Sequence, residues 1–72
     1  MRLGKYLTSL TKPELDELKE LLNLTEDEEM IFKGLSKGRN KTQVAIDCMV
    51  SISTVDNRIR AISGKLIRLK GW

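Results

Sequence analysis

Histidine is absent from the 72-residue sequence, and cysteine, phenylalanine, tyrosine and tryptophan occur once each. The single Cys48 cannot form an internal disulfide, and no base lies near it in the sequence to activate it as a nucleophile. No group of Cys, Asp and Glu has the spacing of a metal site, and the glycines do not form a phosphate-binding loop. We therefore expect neither enzymatic activity nor a cofactor.

Long apolar runs are also missing. Residues 1–5 lack the apolar segment of a signal peptide, and no window is long enough to span a membrane. A chain of this length allows one domain, too small for a deep catalytic pocket, and with few aromatic residues its core must be aliphatic. These features predict a soluble, cytoplasmic protein that does not bind membranes.

Charge is distributed unevenly along the chain. Residues 1–32 contain four basic and eight acidic side chains, whereas residues 33–72 contain nine basic and two acidic ones. Such a basic half suits a protein that binds nucleic acid. A solvated basic face without a partner is the alternative explanation.

Four segments begin with helix-capping chemistry, in which Ser, Thr or Asn precedes the first turn: Thr11, Thr25, Asn40 and Ser51. In the first three, Glu or Gln follows three residues later, which completes a capping box. The predicted helices end near Asn23, at Gly38, near Cys48 and at Leu66. Because no segment alternates like a strand, we predict an all-α, four-helix domain.

Apolar residues recur at helical spacing in each predicted helix. The expected buried positions are Leu15, Leu18, Leu21 and Leu22, then Met30, Ile31, Phe32 and Leu35, then Val44, Ala45 and Cys48, and finally Val55, Ile59, Ile62 and Leu66. Gly64 is expected on the outward side of the last helix, where it either thins a contact between protein and DNA or marks fraying toward residues 70–72.

Residues 40–66 have the spacing of a helix-turn-helix: a short helix, a three-residue connector and a longer helix. The small Ala45 is expected where these two helices cross. The last helix leaves small polar residues, an amide and two arginines off its apolar stripe, and such side chains can bond base edges in a major groove.

Residues 24–66 resemble the DNA-binding domain of the LuxR family of transcription regulators. The family's opening Leu-Thr corresponds to Leu24-Thr25, and its Asn-Lys-Glu-Ile-Ala segment corresponds to Lys41-Thr42-Gln43-Val44-Ala45. Its Ile-Ser-x-x-Thr-Val-x-Asn signature appears from Val50 to Asn57, and its closing Ile-x-x-Lys-Leu appears from Ile62 to Leu66. The promoter-binding domain of sigma factors has a similar pattern.

The chain departs from the LuxR pattern at three places. Arg58 stands where the family commonly has His, and Asp56 replaces a frequent Lys. Only residues 67–72 follow the matching unit, so the family's dimer-forming helix has no counterpart, whereas residues 1–23 add an N-terminal arm and helix that we expect to pack on the three-helix unit.

The resemblance implies two sets of DNA contacts. Base-edge contacts are implied for Asp56, Asn57 and Arg60, to which the groove argument adds Ser53. Phosphate contacts are implied for Lys41, Thr42, Ser51, Thr54, Arg58 and Lys65. The implied function is sequence-specific binding of double-stranded DNA as a transcription regulator.

Alternatives are a sigma-like module that docks on RNA polymerase, and a helix-turn-helix that serves only as an assembly scaffold. Oligomeric state depends on residues 3–22, where Leu3, Leu7 and Leu10 precede the first leucine stripe. We expect this segment to pack within the chain, which favours a monomer, although a dimer is possible.

Overall fold

The structure is a computed structural model, and it describes residues 2–72. Five helices follow one another: α1 (Leu3–Thr8), α2 (Lys12–Leu22), α3 (Glu26–Ser36), α4 (Lys41–Cys48) and α5 (Ile52–Lys70). Residues 2–72 contain no strand, so the all-α prediction is confirmed. The predicted count of four helices is wrong, because α1 was not expected.

Helix α1 has little local stabilisation. Its N-cap residue, Arg2, makes no side-chain capping bond, and the first turn contains no acidic residue. Leu3 and Leu7 lie one turn apart and are both buried in the core. Because its stability comes from burial and not from capping, the capping signals that mark the other helices could not reveal it.

The four predicted helix starts are present. Thr11, Thr25 and Asn40 each form a complete capping box with the side chain three residues later, and Ser51 Oγ accepts a hydrogen bond from the Thr54 backbone N–H. Gly38 has a φ of 84° and donates its N–H to the Leu35 carbonyl, as expected for a glycine that terminates a helix.

One apolar core joins all five helices. Twelve buried side chains form it: Leu3, Leu7, Leu18, Leu22, Ile31, Phe32, Leu35, Val44, Ala45, Val55, Ile62 and Leu66. Leu15, Cys48 and Ile59 are partly buried against this cluster. Residues 3–22 therefore pack against the other helices through this core, as expected for a segment that packs within the chain.

Two predicted core positions are wrong. Leu21 is 58% exposed and Met30 is 51% exposed. Each helix buries only a narrow stripe that neighbouring helices can cover. The stripe includes Leu18 and Leu22 in α2, and Ile31 and Leu35 in α3. Leu21 and Met30 lie beside these stripes.

The close approach between helices is made by a glycine in α3. A Cβ atom added to Gly34 would lie 2.9 Å from Val44 Cγ2 in α4. Ala45, the small residue expected at the crossing of α4 and α5, is buried.

Helix α5 is longer than predicted. It continues past Leu66 to Lys70 and ends at Gly71, which has a φ of 71°. Gly64 lies inside this helix, and a Cβ added there would contact nothing within 4 Å. The helix does not fray at Gly64, and the closer contact with DNA expected there stays a prediction.

Across residues 2–72, no helix combines the length and apolar character needed to cross a membrane. The same residues contain no cluster of Cys, Asp and Glu that could hold a metal ion.

Candidate nucleic-acid interface

Helices α4 and α5 are joined by a tight three-residue connector. Met49 adopts a left-handed conformation with a φ of 57°. Its N–H bonds to the Ile46 carbonyl, and the Val50 N–H bonds to the Ala45 carbonyl at 3.0 Å, which closes the end of α4. Ser51 Oγ then caps α5 by accepting a hydrogen bond from the Thr54 N–H, so α5 begins directly after the connector.

The outward face of α5 carries three of the predicted base-contacting residues. Ser53, Asn57 and Arg60 are spaced four and three residues apart, and all three are exposed. This spacing places them on one side of the helix, opposite the buried Val55 and Ile62. No acidic residue between positions 2 and 72 forms an ion pair with Arg60, so its guanidinium keeps all its donors for a ligand.

Asp56, the fourth predicted base-contacting residue, lies at one edge of that face. Its Oδ1 is 2.8 Å from Lys41 Nζ, at the first residue of α4. Both side chains remain partly exposed, 57% for Lys41 and 40% for Asp56. The structure thus joins a predicted phosphate contact and a predicted base contact in one ion pair between the two helices.

Thr54 and Arg58 lie on the opposite edge of the α5 face, next to α3. Arg58 Nη2 is 3.7 Å from Asp27 Oδ2, and Arg58 Nε is buried without a hydrogen-bond partner within residues 2–72. Thr54 Oγ1 is 3.0 Å from Ser51 Oγ. The long ion pair and the unpaired Nε leave Arg58 with hydrogen-bonding capacity that this fold does not use.

Lys65 occupies a different position from the other predicted phosphate contacts. Its Nζ donates to Glu28 Oε1 at 2.6 Å, and Glu28 is almost fully buried. Burial acts to raise the pKa of Glu28, but the hydrogen bonds from Lys65 and from the Thr25 N–H outweigh it and hold that pKa below its ordinary value of 4.5. Lys65 therefore neutralises a buried carboxylate, a role that the sequence pattern did not indicate.

Thr42 and Ser51, the remaining predicted phosphate contacts, are both exposed. Thr42 is in the first turn of α4 and Ser51 caps α5, so both side chains lie where unpaired backbone N–H groups favour an anion. The ten predicted site residues thus fall into one outward face of α5, its two edges, and the separate Lys65–Glu28 pair.

Two features of this region were missed at the sequence level. Four large apolar side chains around the connector are exposed: Ile46, Met49, Val50 and Ile52. Arg39 also forms an ion pair with Asp47, beside the start of α4. Helical periodicity does not assign these apolar residues to the core. Arg39 lies before the N-cap of α4, so helical spacing gives no signal for its pair with Asp47 in the last turn.

Comparisons with protein-family models, with curated proteins and with solved structures found no match to this chain.

Proposed function

We propose that this protein binds double-stranded DNA in a sequence-specific manner through a helix-turn-helix formed by α4 and α5, and that it acts as a transcription regulator in the cytoplasm. The observation that carries the proposal is the outward face of α5. Ser53, Asn57 and Arg60 are exposed together there, on a helix whose opposite side is buried in the core.

The dimensions and chemistry of this face suit a major groove. The groove is about 12 Å wide and admits one α-helix, and its base edges present donors and acceptors that differ between base pairs. An exposed Asn can bond adenine through two atoms, and an exposed Arg can do the same with guanine. With α5 in the groove, Asn57 and Arg60 are the residues assigned to base edges.

The edges of the α5 face supply the phosphate contacts. Lys41 and Thr42 lie at the start of α4, whereas Ser51, Thr54 and Arg58 lie near the start of α5. These groups flank the base-contacting residues, as is required of side chains that position a helix without specifying sequence. Lys65 is left out of this set because its side chain is only 28% exposed and its ammonium group donates both to the buried Glu28 and to the Asn23 carbonyl.

Salt dependence tests the proposal. The full chain is titrated with a duplex pool of random sequence at several salt concentrations. Lys41 and Arg58 are the basic residues of this phosphate-contacting set, so neutralisation of two phosphates gives a log–log slope of roughly −2. Binding that is absent or indifferent to salt contradicts the proposal.

Two variants locate the interface. Asn57→Ala and Arg60→Ala are each expected to cost about 1–3 kcal/mol on a selected sequence and little on random DNA. Lys12→Ala is the matched control, since Lys12 is an exposed base on α2, outside the proposed α4–α5 unit. Equal losses on both kinds of DNA would remove Asn57 and Arg60 from the base contacts.

A protein partner is the second candidate function, as in a module that docks on RNA polymerase or serves in assembly. The exposed apolar side chains at the connector favour it, because Ile46 is 71% and Met49 is 91% exposed. This candidate predicts weak DNA binding, and Ile46→Ser is then expected to abolish partner binding while leaving the DNA salt slope unchanged.

A further inference from the structure

Asp56 places a carboxylate at the surface where DNA is proposed to bind, and Lys41 forms an ion pair with it. Asp56 lies beside Arg60, one turn away on α5, where DNA is proposed to bind. A carboxylate at a DNA surface is repelled by phosphates, so an unpaired acid there opposes binding. The contact of 2.8 Å with Lys41 makes the pair neutral and removes that repulsion.

The ion pair also leaves Asp56 an unused acceptor. Lys41 Nζ contacts Oδ1, and no other ion pair or hydrogen bond within the described chain uses Oδ2. The side chain is 40% exposed, so a donor from outside can reach it. Asp56 is thus a carboxylate fixed in place by a residue of the other helix, with one oxygen available.

The four bases differ in what they offer to such an acceptor. In the major groove, guanine presents the acceptors N7 and O6, thymine presents the acceptor O4, and adenine presents an acceptor next to its amino donor. Cytosine presents the N4 amino donor without an acceptor. A fixed carboxylate therefore attracts cytosine and repels guanine.

We infer that Asp56, positioned by Lys41, selects cytosine at one base step of the DNA target. This inference rests on the proposed function, and it assigns a base identity to one position of the target. Lys41 carries three ammonium donors, so it holds Asp56 and still has donors for a phosphate.

Selection from a duplex pool with a randomised centre tests the inference. The wild-type chain is expected to prefer cytosine at one step by about 5- to 10-fold, the lower range for one hydrogen bond to a base edge. Asp56→Ala removes the preference at that step alone. Asp56→Asn moves it to adenine, because an amide both donates and accepts.

Asp47→Asn is the matched control. Asp47 is paired with Arg39 and is 46% exposed, close to the 40% of Asp56, so both substitutions remove one negative charge from a similar surface. Asp47→Asn is expected to raise affinity for all sequences slightly and to leave every base preference unchanged. If Asp56→Ala behaves in the same way, Asp56 does not select a base and the inference is wrong.

A double substitution tests the positioning role of Lys41. Lys41→Met leaves Asp56 uncompensated, so it is expected to weaken duplex binding, and Lys41→Met with Asp56→Asn is expected to recover part of that loss. No recovery means that Lys41 acts on phosphate alone, which overturns the positioning role.

Failure of the proposed function and failure of the cytosine preference alone give different experimental results. A wild-type chain that binds no duplex in a salt-dependent manner overturns the proposed function, and the inference falls with it. A chain that binds a selected sequence, with no cytosine preference that depends on Asp56, overturns the inference alone.

Discussion

The buried carboxylate of Glu28 forms hydrogen bonds with two separate parts of the chain. Glu28 was expected only as part of a capping box, and it does accept the Thr25 N–H at 3.0 Å. The same oxygen also accepts from Lys65, which is 37 residues away. Spacing rules cover only neighbours on one helix, so a contact between α3 and α5 appears only once the fold is known.

Removal of the Glu28 charge is predicted to destabilise the protein. Glu28→Gln keeps an acceptor for the Thr25 N–H but leaves Lys65 without its carboxylate, at a cost of about 1–3 kcal/mol at pH 7. Glu14→Gln is the control, since Glu14 occupies the same position in an exposed capping box. Chemical denaturation at pH 7 measures both, and equal small effects would contradict a stabilising ion pair.

The same residue predicts a dependence of stability on pH. The pKa of Glu28 is lower in the folded chain than its ordinary value of 4.5, so the unfolded chain binds more protons between the two values. The free energy of unfolding therefore rises with pH across that interval, and the contribution is lost as pH falls through the folded pKa. Denaturation from pH 3 to 6 should show a shallower rise for Glu28→Gln than for the wild type.

Replacement by alanine is predicted to have opposite effects on stability at Gly34 in α3 and at Gly64 in α5. Gly34→Ala places a methyl group 2.9 Å from Val44 Cγ2, and buried Val44 has little room to move. The expected loss is about 1–3 kcal/mol, larger than the gain in helix propensity. Gly64→Ala meets open space and is expected to gain about 0.5–1 kcal/mol. Thermal melts decide, and stabilisation by both would show that α3 and α4 can separate.

At the scale of helices, capping chemistry was the most informative sequence signal. It gave the starts of α2, α3, α4 and α5 because each cap is local, formed by residues three apart. Helix α1 lacks such a cap and depends on the rest of the core, so it could not be predicted in the same way. The end of α5 was placed too early, because its last turn carries no buried residue that continues the apolar stripe.

The connector between α4 and α5 includes a strained residue. Met49 has a φ of 57°, a conformation that costs a non-glycine residue about 1–2 kcal/mol. Its side chain is 91% exposed, so packing does not compensate. Met49→Gly is expected to stabilise the protein by about 0.5–1 kcal/mol after the flexibility of glycine is deducted.

Asn23→Gly is the control for that substitution. Asn23 has a φ of 50° at the end of α2, and asparagine tolerates this conformation better than methionine does. The gain in stability from Asn23→Gly should be smaller than the gain from Met49→Gly in the same thermal melts. A loss of stability in Met49→Gly would mean that the exposed methionine contributes contacts that outweigh its backbone strain.

At the scale of the whole molecule, the sequence predicted the fold class and the outward face of α5 but not the ion pairs that cross between helices. Fold class follows from periodicity and caps, which are properties of short segments. The pairs Lys41–Asp56, Arg58–Asp27 and Lys65–Glu28 depend on how segments are arranged in space. Four of the basic residues in positions 33–72 are thereby partly neutralised, counting Arg39 with Asp47. Two of the acidic partners, Asp27 and Glu28, come from residues 1–32, so the charge count for residues 33–72 alone overstates the positive charge that this half presents.

The arrangement of α1 and α2 predicts that the free protein is a monomer. Leu3, Leu7, Leu18 and Leu22 are all in the shared core, so these leucines are not available to a second copy, and Leu21 is the exposed leucine of α2. A domain of this size buries little apolar surface in total, so it needs these buried leucines for its own core. Sedimentation equilibrium at low micromolar concentration is expected to give the monomer mass of 8.2 kDa.

Two leucines of α2 distinguish this arrangement from a dimer held by the same helix. Leu18→Glu places a charge at a position that is 4% exposed, and it is expected to unfold the chain. Leu21→Glu, three residues later and 58% exposed, should leave both the fold and the monomer mass unchanged. Circular dichroism measures folding, and sedimentation measures mass. A dimer that Leu18→Glu dissociates without unfolding would mean that α2 faces a second copy, because a charge that the folded monomer tolerates cannot lie in its core.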